Sequence, residues 1–180
     1  MILPRSALPT TPVLIEGIDV LALHGKLLVR ARATDGATGY AFANSRLDVL
    51  LPILQRLVIP FFVGKDARDV ETLVDGVYAH QSNYKLAGLA FWNTVSHVEF
   101  ALLDLLGKLV DKPVAALFGP VLRTEIPIYL SSMRRDTTPE EEVAWVGERL
   151  AETNAGAIKL KIGGRMSNNA DAWPGRTEAL

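Results

Sequence analysis

The 180-residue sequence contains no cysteine. This excludes a disulfide scaffold, catalysis by a thiolate, and zinc or iron–sulfur sites that use cysteine ligands. It is also compatible with a reducing compartment. We therefore expect a cytoplasmic protein.

The sequence also lacks an excess of either charge and any long apolar run. Its 19 basic and 20 acidic residues give a net charge of -1, so no basic surface favours nucleic acid. The stretch MILPRSALPTTPV has no apolar region long enough for a signal peptide, and LDVLLPILQRLVIPFFVG is interrupted by Asp48, Gln55 and Arg56. We expect a soluble protein that binds neither nucleic acid nor membranes.

What is present is ample material for a core, since 49% of the residues are hydrophobic. Two strands, separated near Gly25, are predicted for VLIEGIDVLAL and KLLVRARAT, and a third is predicted for ATGYAFA. Asp35-Gly36 favours a tight hairpin turn between the second and third strands. The beginning of the chain therefore predicts a small antiparallel sheet.

Helical periodicity follows the predicted sheet. Ser45 and Asp48 have the spacing of a capping box, and Pro52 must start, kink or divide the helix that they introduce. SHVEFALLDLLGKLV predicts the clearest helix, with Ser96 and Glu99 at the spacing of a second capping box. Together with the strands, these helices predict an α+β domain.

A different pattern begins after this domain. A strand is predicted for EIPIYLSS and a second strand for GAIKLKIGG. Between them, a helix capped by Thr138 and Glu141 is predicted for TPEEEVAWVGERLAETN. Strand, helix and strand with short loops predict two parallel strands. We therefore divide the chain into an α+β domain over 1–124 and an α/β domain over 125–180. Since a closed eight-stranded α/β barrel needs roughly 250 residues, we expect the second domain to be cut short.

Two lysines stand in the last predicted strand. Side chains alternate along a strand, so Lys159 and Lys161 share one face, about 6.6 Å apart. One interpretation is a strand whose lysines face water, where their interaction is negligible. The other is a ligand site, because ligands of parallel α/β folds bind at the carboxyl ends of strands. In a partly buried site with an effective dielectric of 20, the repulsion is about 2.4 kcal/mol, which favours the neutral form of one amine.

Four stretches together resemble the mandelate racemase and muconate lactonizing enzyme branch of the enolase superfamily, over roughly residues 15–180. They are LLVRARATDGATGY, FFVGKDARDVETL, VEFALLDLLGKLVDKPVAALFGP and the K-x-K motif of IKLKIGG. The third includes Asp104, which we interpret as a buried, hydrogen-bonded helix residue and not as a catalyst. The third and fourth stretches at their spacing are the specific part of the resemblance.

The resemblance implies a capping domain, with a three-stranded antiparallel sheet and helices, followed by the first βαβ units of a (β/α)8 barrel. The active site would lie between the two. It also implies removal of a proton alpha to a carboxylate, giving an enediolate stabilised by Mg²⁺. Lys161 would be the base, and Lys159 would contact the carboxylate of the substrate. The substrate would be a small carboxylate, such as a sugar acid, and the protein a homo-oligomer. The implied enzyme is an acid-sugar dehydratase, or a racemase, epimerase or cycloisomerase.

The resemblance also suggests substrate-binding residues. Ser131 stands at the end of the first barrel strand, where related enzymes contact the carboxylate, although a serine at a strand end can equally bond its own backbone. His24 and Asn44 are candidates in capping-domain loops, with ordinary turn residues as the alternative. The loop ALHGK is shorter than the usual flap of the family. The Asp/Glu ligands of Mg²⁺ and the second acid/base are expected beyond Leu180, so a non-catalytic relative that acts as an interaction module remains the alternative function.

Overall fold

The computed structural model describes residues 3–134 and 137–161. The chain forms two compact units, Met1–Val121 and Leu122–Leu180. The first contains a three-stranded sheet with helices, and the second contains a pair of strands and a helix. Within the described ranges, no helix combines the length and apolar character needed to cross a bilayer.

The sheet of the first unit is antiparallel, in the order β1 (Ile15–Leu23), β2 (Lys26–Ala33) and β3 (Thr38–Phe42). The order and pairing confirm the small sheet predicted from alternation. The β1–β2 turn uses His24 and Gly25, with φ of 47° and 74°. Since β1 and β2 pair directly up to this turn, it is a tight hairpin.

The second hairpin turn is the one predicted at Asp35-Gly36. Gly36 has φ of 90°, a left-handed conformation that favours glycine. The carboxylate of Asp35 accepts a hydrogen bond from the backbone N–H of Ala37 at 3.0 Å. Such a local bond from an aspartate side chain is the usual physical basis of its preference for turns.

The described part of the first unit also contains helices packed around the sheet. They are α1 (Leu47–Ile53), α2 (Ile59–Phe62), α3 (Val70–Ala79), α4 (Leu89–Leu109) and α5 (Val114–Leu117). Pro52 lies inside α1, and the chain continues from that helix through a wider, π-type turn into α2. Proline cannot donate to the preceding turn, so division of the predicted helix is its expected effect.

The two capping boxes predicted in this unit are wrong. The residue before α1 is Arg46, and no side chain caps that end. Ser96 lies inside α4, and its hydroxyl donates to the carbonyl of Asn93 at 2.9 Å. Helix α4 begins earlier, at Leu89, because the preceding residue, Gly88, has a φ of 146° and lies outside the helical conformation.

Helix α4 lies against the sheet and builds the core. On β2, Val29 and Ala31 are fully buried, as is Leu105 on the helix. The approach is closest at Gly39, where an added methyl group would overlap the carbonyl oxygen of Ala101 and the backbone of Leu105. The core therefore depends on this helix meeting β3 backbone to backbone.

The second unit contains β4 (Tyr129–Ser131), α6 (Pro139–Glu152) and β5 (Ala157–Lys159), with the two strands parallel. The capping box of Thr138 and Glu141 is present as predicted. The strands are shorter than predicted, because each pairs only with the other in the described residues. Ile162, Gly163 and Gly164 of the predicted last strand lie outside the described residues.

Candidate active site

The carboxyl ends of β4 and β5 stand side by side. Ser131 pairs with Lys159 in the parallel register. The backbone N–H of Ser132 donates to the carbonyl of Lys159 at 3.0 Å, and that of Gly156 donates to Ile128 at 3.2 Å. Since these bonds flank the paired stretch on both sides, they fix Lys159 next to Ser131, as the prediction of a parallel pair requires.

The side chain of Lys159 has an aromatic neighbour. Its Nζ lies 5.6 Å from the centroid of the Tyr129 ring. Tyr129 is two residues before Ser131 on β4, so the two side chains share the face of the strand on which Lys159 lies. Tyr129 is not among the residues predicted from the sequence. Alternation along the predicted strand nevertheless places it on the same face as Ser131.

Lys161 follows β5 and is partly buried. The strand ends at Lys159, so the sequence-based expectation of one continuous strand through both lysines is too long. Both lysines nevertheless belong to the carboxyl end of β5, where the sequence placed them. Their roles as base and carboxylate contact remain a proposal.

The two serines that follow Leu130 have different surroundings. Ser131 is exposed, and its hydroxyl donates to the sulfur of Met133 at 4.0 Å. Ser132 is 2% exposed, and its Oγ accepts from the backbone N–H of Arg134 at 3.3 Å. Of the pair, Ser131 is therefore the serine that a dissolved ligand can reach.

A second feature lies in the first unit, between the β1–β2 turn and the connection from β3 to α1. It is a cleft of about 360 Å³, lined by Gly25, Lys26, Leu27, Phe42, Ala43, Asn44, Ser45 and Asp48. Asn44 is exposed, and its Oδ1 accepts from the backbone N–H of Arg46 at 2.8 Å. His24 is exposed in the turn directly before Gly25 but does not line the cleft. The structure thus brings Asn44 close to the turn that carries His24, and it adds Lys26 and Asp48, which sequence reasoning missed.

The described residues do not form a magnesium site. In the ranges 3–134 and 137–161, no group of three or more histidine, aspartate or glutamate side chains converges where a metal ion could bind. Mg²⁺ is held mainly by carboxylate oxygens and water. The ligands expected from the resemblance beyond Leu180 lie outside the described residues.

Solved structures resemble this chain in both fold and sequence, whereas no protein-family model matches it. A protein from Roseobacter denitrificans assigned as a racemase has a TM-score of 0.77 and 32% identity, covering 91% of this chain and 44% of its own. A mandelate racemase/muconate lactonizing protein from Paracoccus denitrificans, complexed with magnesium, has a TM-score of 0.71 and 26% identity, covering 82% and 42%. A protein from Mesorhizobium loti assigned as a dehydratase has a TM-score of 0.69 and 27% identity, covering 82% and 41%.

The aligned part is the N-terminal part of each neighbour, and this chain spans less than half of their length. The three-stranded sheet with its helices corresponds to a capping domain, and β4, α6 and β5 correspond to the start of a barrel. The sequence resemblance is confirmed by these neighbours. The chain is similar to the N-terminal portion of proteins of the mandelate racemase and muconate lactonizing enzyme branch of the enolase superfamily.

Proposed function

We propose that the protein abstracts a proton alpha to the carboxylate of a small acid, with Lys161 as the base. The observation that carries the proposal is the position of Lys159 directly beside Ser131, at the carboxyl ends of two parallel strands. Neighbours over 25% identical include proteins assigned as a racemase and a dehydratase, which supports an enzyme of this class.

In the proposed chemistry, the amines of Lys161 and Lys159 have different roles. A lysine accepts a proton only as the neutral amine, so Lys161 would act as the base in that form, while Lys159 would contact the carboxylate of the substrate. Loss of the alpha proton places additional negative charge on the substrate carboxylate. The ammonium group of Lys159 and the hydroxyl of Ser131 would stabilise that charge where it develops.

We further propose that the cleft at Asn44 contributes to substrate selection. Because Oδ1 of Asn44 is bonded to the backbone of Arg46, its Nδ2 group is the donor left for a substrate oxygen. The ammonium of Lys26 and the carboxylate of Asp48 add a donor and an acceptor to the lining. This mixture suits a hydroxylated acid, so dehydration of a sugar acid is the first reaction to test. His24 would act from the adjoining turn.

Mg²⁺ is proposed as the cofactor of the whole protein, with ligands from outside residues 3–134 and 137–161. The neighbour from Paracoccus denitrificans was crystallised with magnesium. A cytoplasmic location and assembly into a homo-oligomer belong to the same proposal. Light scattering of the purified protein tests the assembly.

The test of the proposal is exchange of the alpha proton in D₂O, followed by NMR over a panel of sugar acids and other 2-hydroxy acids. We expect exchange in the wild-type protein and a loss of at least about 100-fold in Lys161→Ala, the size typical of removing a general base. Lys112→Ala, which changes an exposed lysine of the first unit, is the matched control.

Analysis of the products then separates the reactions, because dehydration yields a keto acid and racemisation inverts the alpha carbon. Exchange that persists in Lys161→Ala removes Lys161 from the role of base. A folded wild-type protein without exchange on any acid of the panel favours the non-catalytic relative.

A further inference from the structure

We propose that an aromatic patch on the first unit is the surface through which two copies of this chain associate. The patch consists of Tyr78 on α3, Tyr84 in the connection to α4, and Leu89 and Trp92 on α4. These side chains are 39–85% exposed. The inference rests on the proposed function only in giving a surface to the homo-oligomer included there.

The four side chains form one continuous patch with Tyr78 at its centre. The Tyr78 ring stacks on the Trp92 ring, with centroids 5.5 Å apart and planes inclined by 15°. Its centroid lies 6.4 Å from that of Tyr84. Leu89 stands three residues before Trp92 and therefore lies on the same face of α4.

Buried groups beneath the patch hold it in place. Phe91 is fully buried, and its ring meets the Trp92 ring edge to face at 5.2 Å. In the connection between α3 and α4, the buried side chain of Asn83 donates from Nδ2 to the carbonyl of Val77 at 2.8 Å. Tyrosine and tryptophan side chains also have only two rotatable angles, so little conformational entropy is lost when a partner covers them.

The size of the patch suits a protein interface. Together the four side chains expose about 400 Å², an apolar area that on soluble proteins marks an interaction site. This is about half of the roughly 800 Å² that each partner buries in a standard interface. The polar surroundings of the patch would supply the remainder, as the rim of an interface does.

Two charges of opposite sign at the ends of the patch favour a second copy as the partner. Asp75 stands three residues before Tyr78 on α3, and Lys85 directly follows Tyr84. Both are exposed, and neither forms an ion pair among the described residues. A two-fold axis through the patch interchanges its ends and so brings Asp75 of one protomer to Lys85 of its partner. The net charge of -1 adds little repulsion between the copies.

Carbodiimide cross-linking of the whole chain tests this arrangement. The reagent joins a carboxylate to an amine in direct contact, and a mixture of unlabelled and heavy-isotope-labelled protein distinguishes links between copies from links within one chain. We expect mixed-isotope peptides that join Asp75 to Lys85 in the fraction that sediments as a dimer. A dimer without this link, or a link found only within single chains, overturns the inference.

A charge placed in the patch tests the apolar contact. Leu89→Glu changes the most exposed member of the patch, so the fold should tolerate it. We expect the Kd of the dimer, measured by sedimentation equilibrium, to rise at least about 10-fold, because the two introduced charges are brought together on association. Phe100→Glu is the matched control, since it changes an exposed aromatic residue of the same helix outside the patch. Equal weakening in the two variants overturns the inference.

Exchange of the two flanking charges tests the two-fold arrangement and changes only exposed residues. Lys85→Glu alone opposes Asp75 with a second acid, and we expect the Kd to rise about fivefold or more. The double variant Asp75→Lys with Lys85→Glu restores the pair in reverse, so its Kd should lie within about threefold of the wild-type value. A double variant as weak as Lys85→Glu alone refutes the pairing.

This inference and the proposed function fail in different ways. A wild-type protein that stays monomeric up to submillimolar concentration overturns the inference and leaves a different protein as the partner of the patch. Alpha-proton exchange by such a monomer leaves the proposed chemistry intact. Conversely, a cross-linked dimer without exchange supports the surface and contradicts the proposed function.

Discussion

At the scale of a single residue, the charged side chain of Asp104 has a structural role. Its Oδ2 accepts from the backbone N–H of Tyr40 at 2.8 Å and lies 2.7 Å from Nζ of Lys108. The first bond connects α4 to β3, and the second lies along the helix. The predicted hydrogen bonding of Asp104 is thus confirmed, whereas its predicted burial is wrong, because 33% of the side chain is exposed.

His97 is a titratable group with a predictable effect on stability. Its side chain in α4 is 6% exposed, and neither ring nitrogen has a hydrogen-bond partner among the described residues. Burial lowers the pKa of His97 below its ordinary value of 6.5, because the charged ring cannot be solvated there. Burial therefore favours the neutral form of the His97 ring in the folded protein.

We expect the free energy of unfolding to decrease as the pH is lowered below about 6.5, since the unfolded chain then binds a proton that the folded chain does not. One such group contributes a slope of at most about 1.4 kcal/mol per pH unit. Urea denaturation between pH 5 and 8 measures it, with His97→Leu as the variant that loses this contribution and His97→Gln as a second variant. Parallel curves for the wild type and both variants would exclude His97 as the source.

At the scale of secondary-structure elements, the packing of α4 against β3 depends on Gly39. Glycine at position 39 lets the two backbones meet, with the Cα of Leu105 only 2.7 Å from where a Cβ would stand. Neither partner can rotate away, because both are backbone. The sequence showed a glycine in a predicted strand but not the helix that approaches it.

Gly39→Ala is therefore expected to destabilise the protein by at least about 2 kcal/mol, through displacement of α4 from the sheet. Thermal or urea denaturation measures the change. Thr38→Ala introduces alanine one position earlier on the opposite face of β3 without adding a Cβ, since threonine already has one, and we expect it to cost less than about 1 kcal/mol. Equal losses in the two variants would show that the close approach is not limiting.

At the scale of the whole molecule, the apolar core is confined to one unit. In the described ranges, every buried hydrophobic residue lies between Leu3 and Leu117. The second unit has Ser132 and Glu142 as buried residues, both polar. Burial of apolar surface is the main source of folding free energy, so the described part of the second unit has little of its own.

Hydrogen exchange of the 180-residue chain should reveal this difference. We expect amides of β2 and α4 to exchange at least about 10-fold more slowly than those of β4 and β5, because local opening is cheapest where few apolar contacts are lost. Mass spectrometry of exchanged peptides gives the rates. Equal protection in both units would mean that the second unit is stabilised by burial outside the described residues.

How far the sequence predicted each element depended on the range of the interactions that form it. Helix α6 was predicted together with its cap, because Thr138 and Glu141 are three residues apart and bond each other. The start of α4 was predicted at Ser96, whereas the helix begins at Leu89, directly after Gly88. Ser96 therefore lies inside the helix and cannot cap it. The lengths of β4 and β5 could not be read from either strand alone.

The sequence by itself determined the α+β pattern of the first unit, the βαβ order of the second and the pair of lysines, since alternation, turn residues and caps act over a few positions. Only the tertiary structure decided which groups meet: Tyr129 with Lys159, Asn44 with the β1–β2 turn, and Gly39 with α4. These contacts join residues distant along the chain. Their geometry follows from register and packing, which no local sequence pattern encodes.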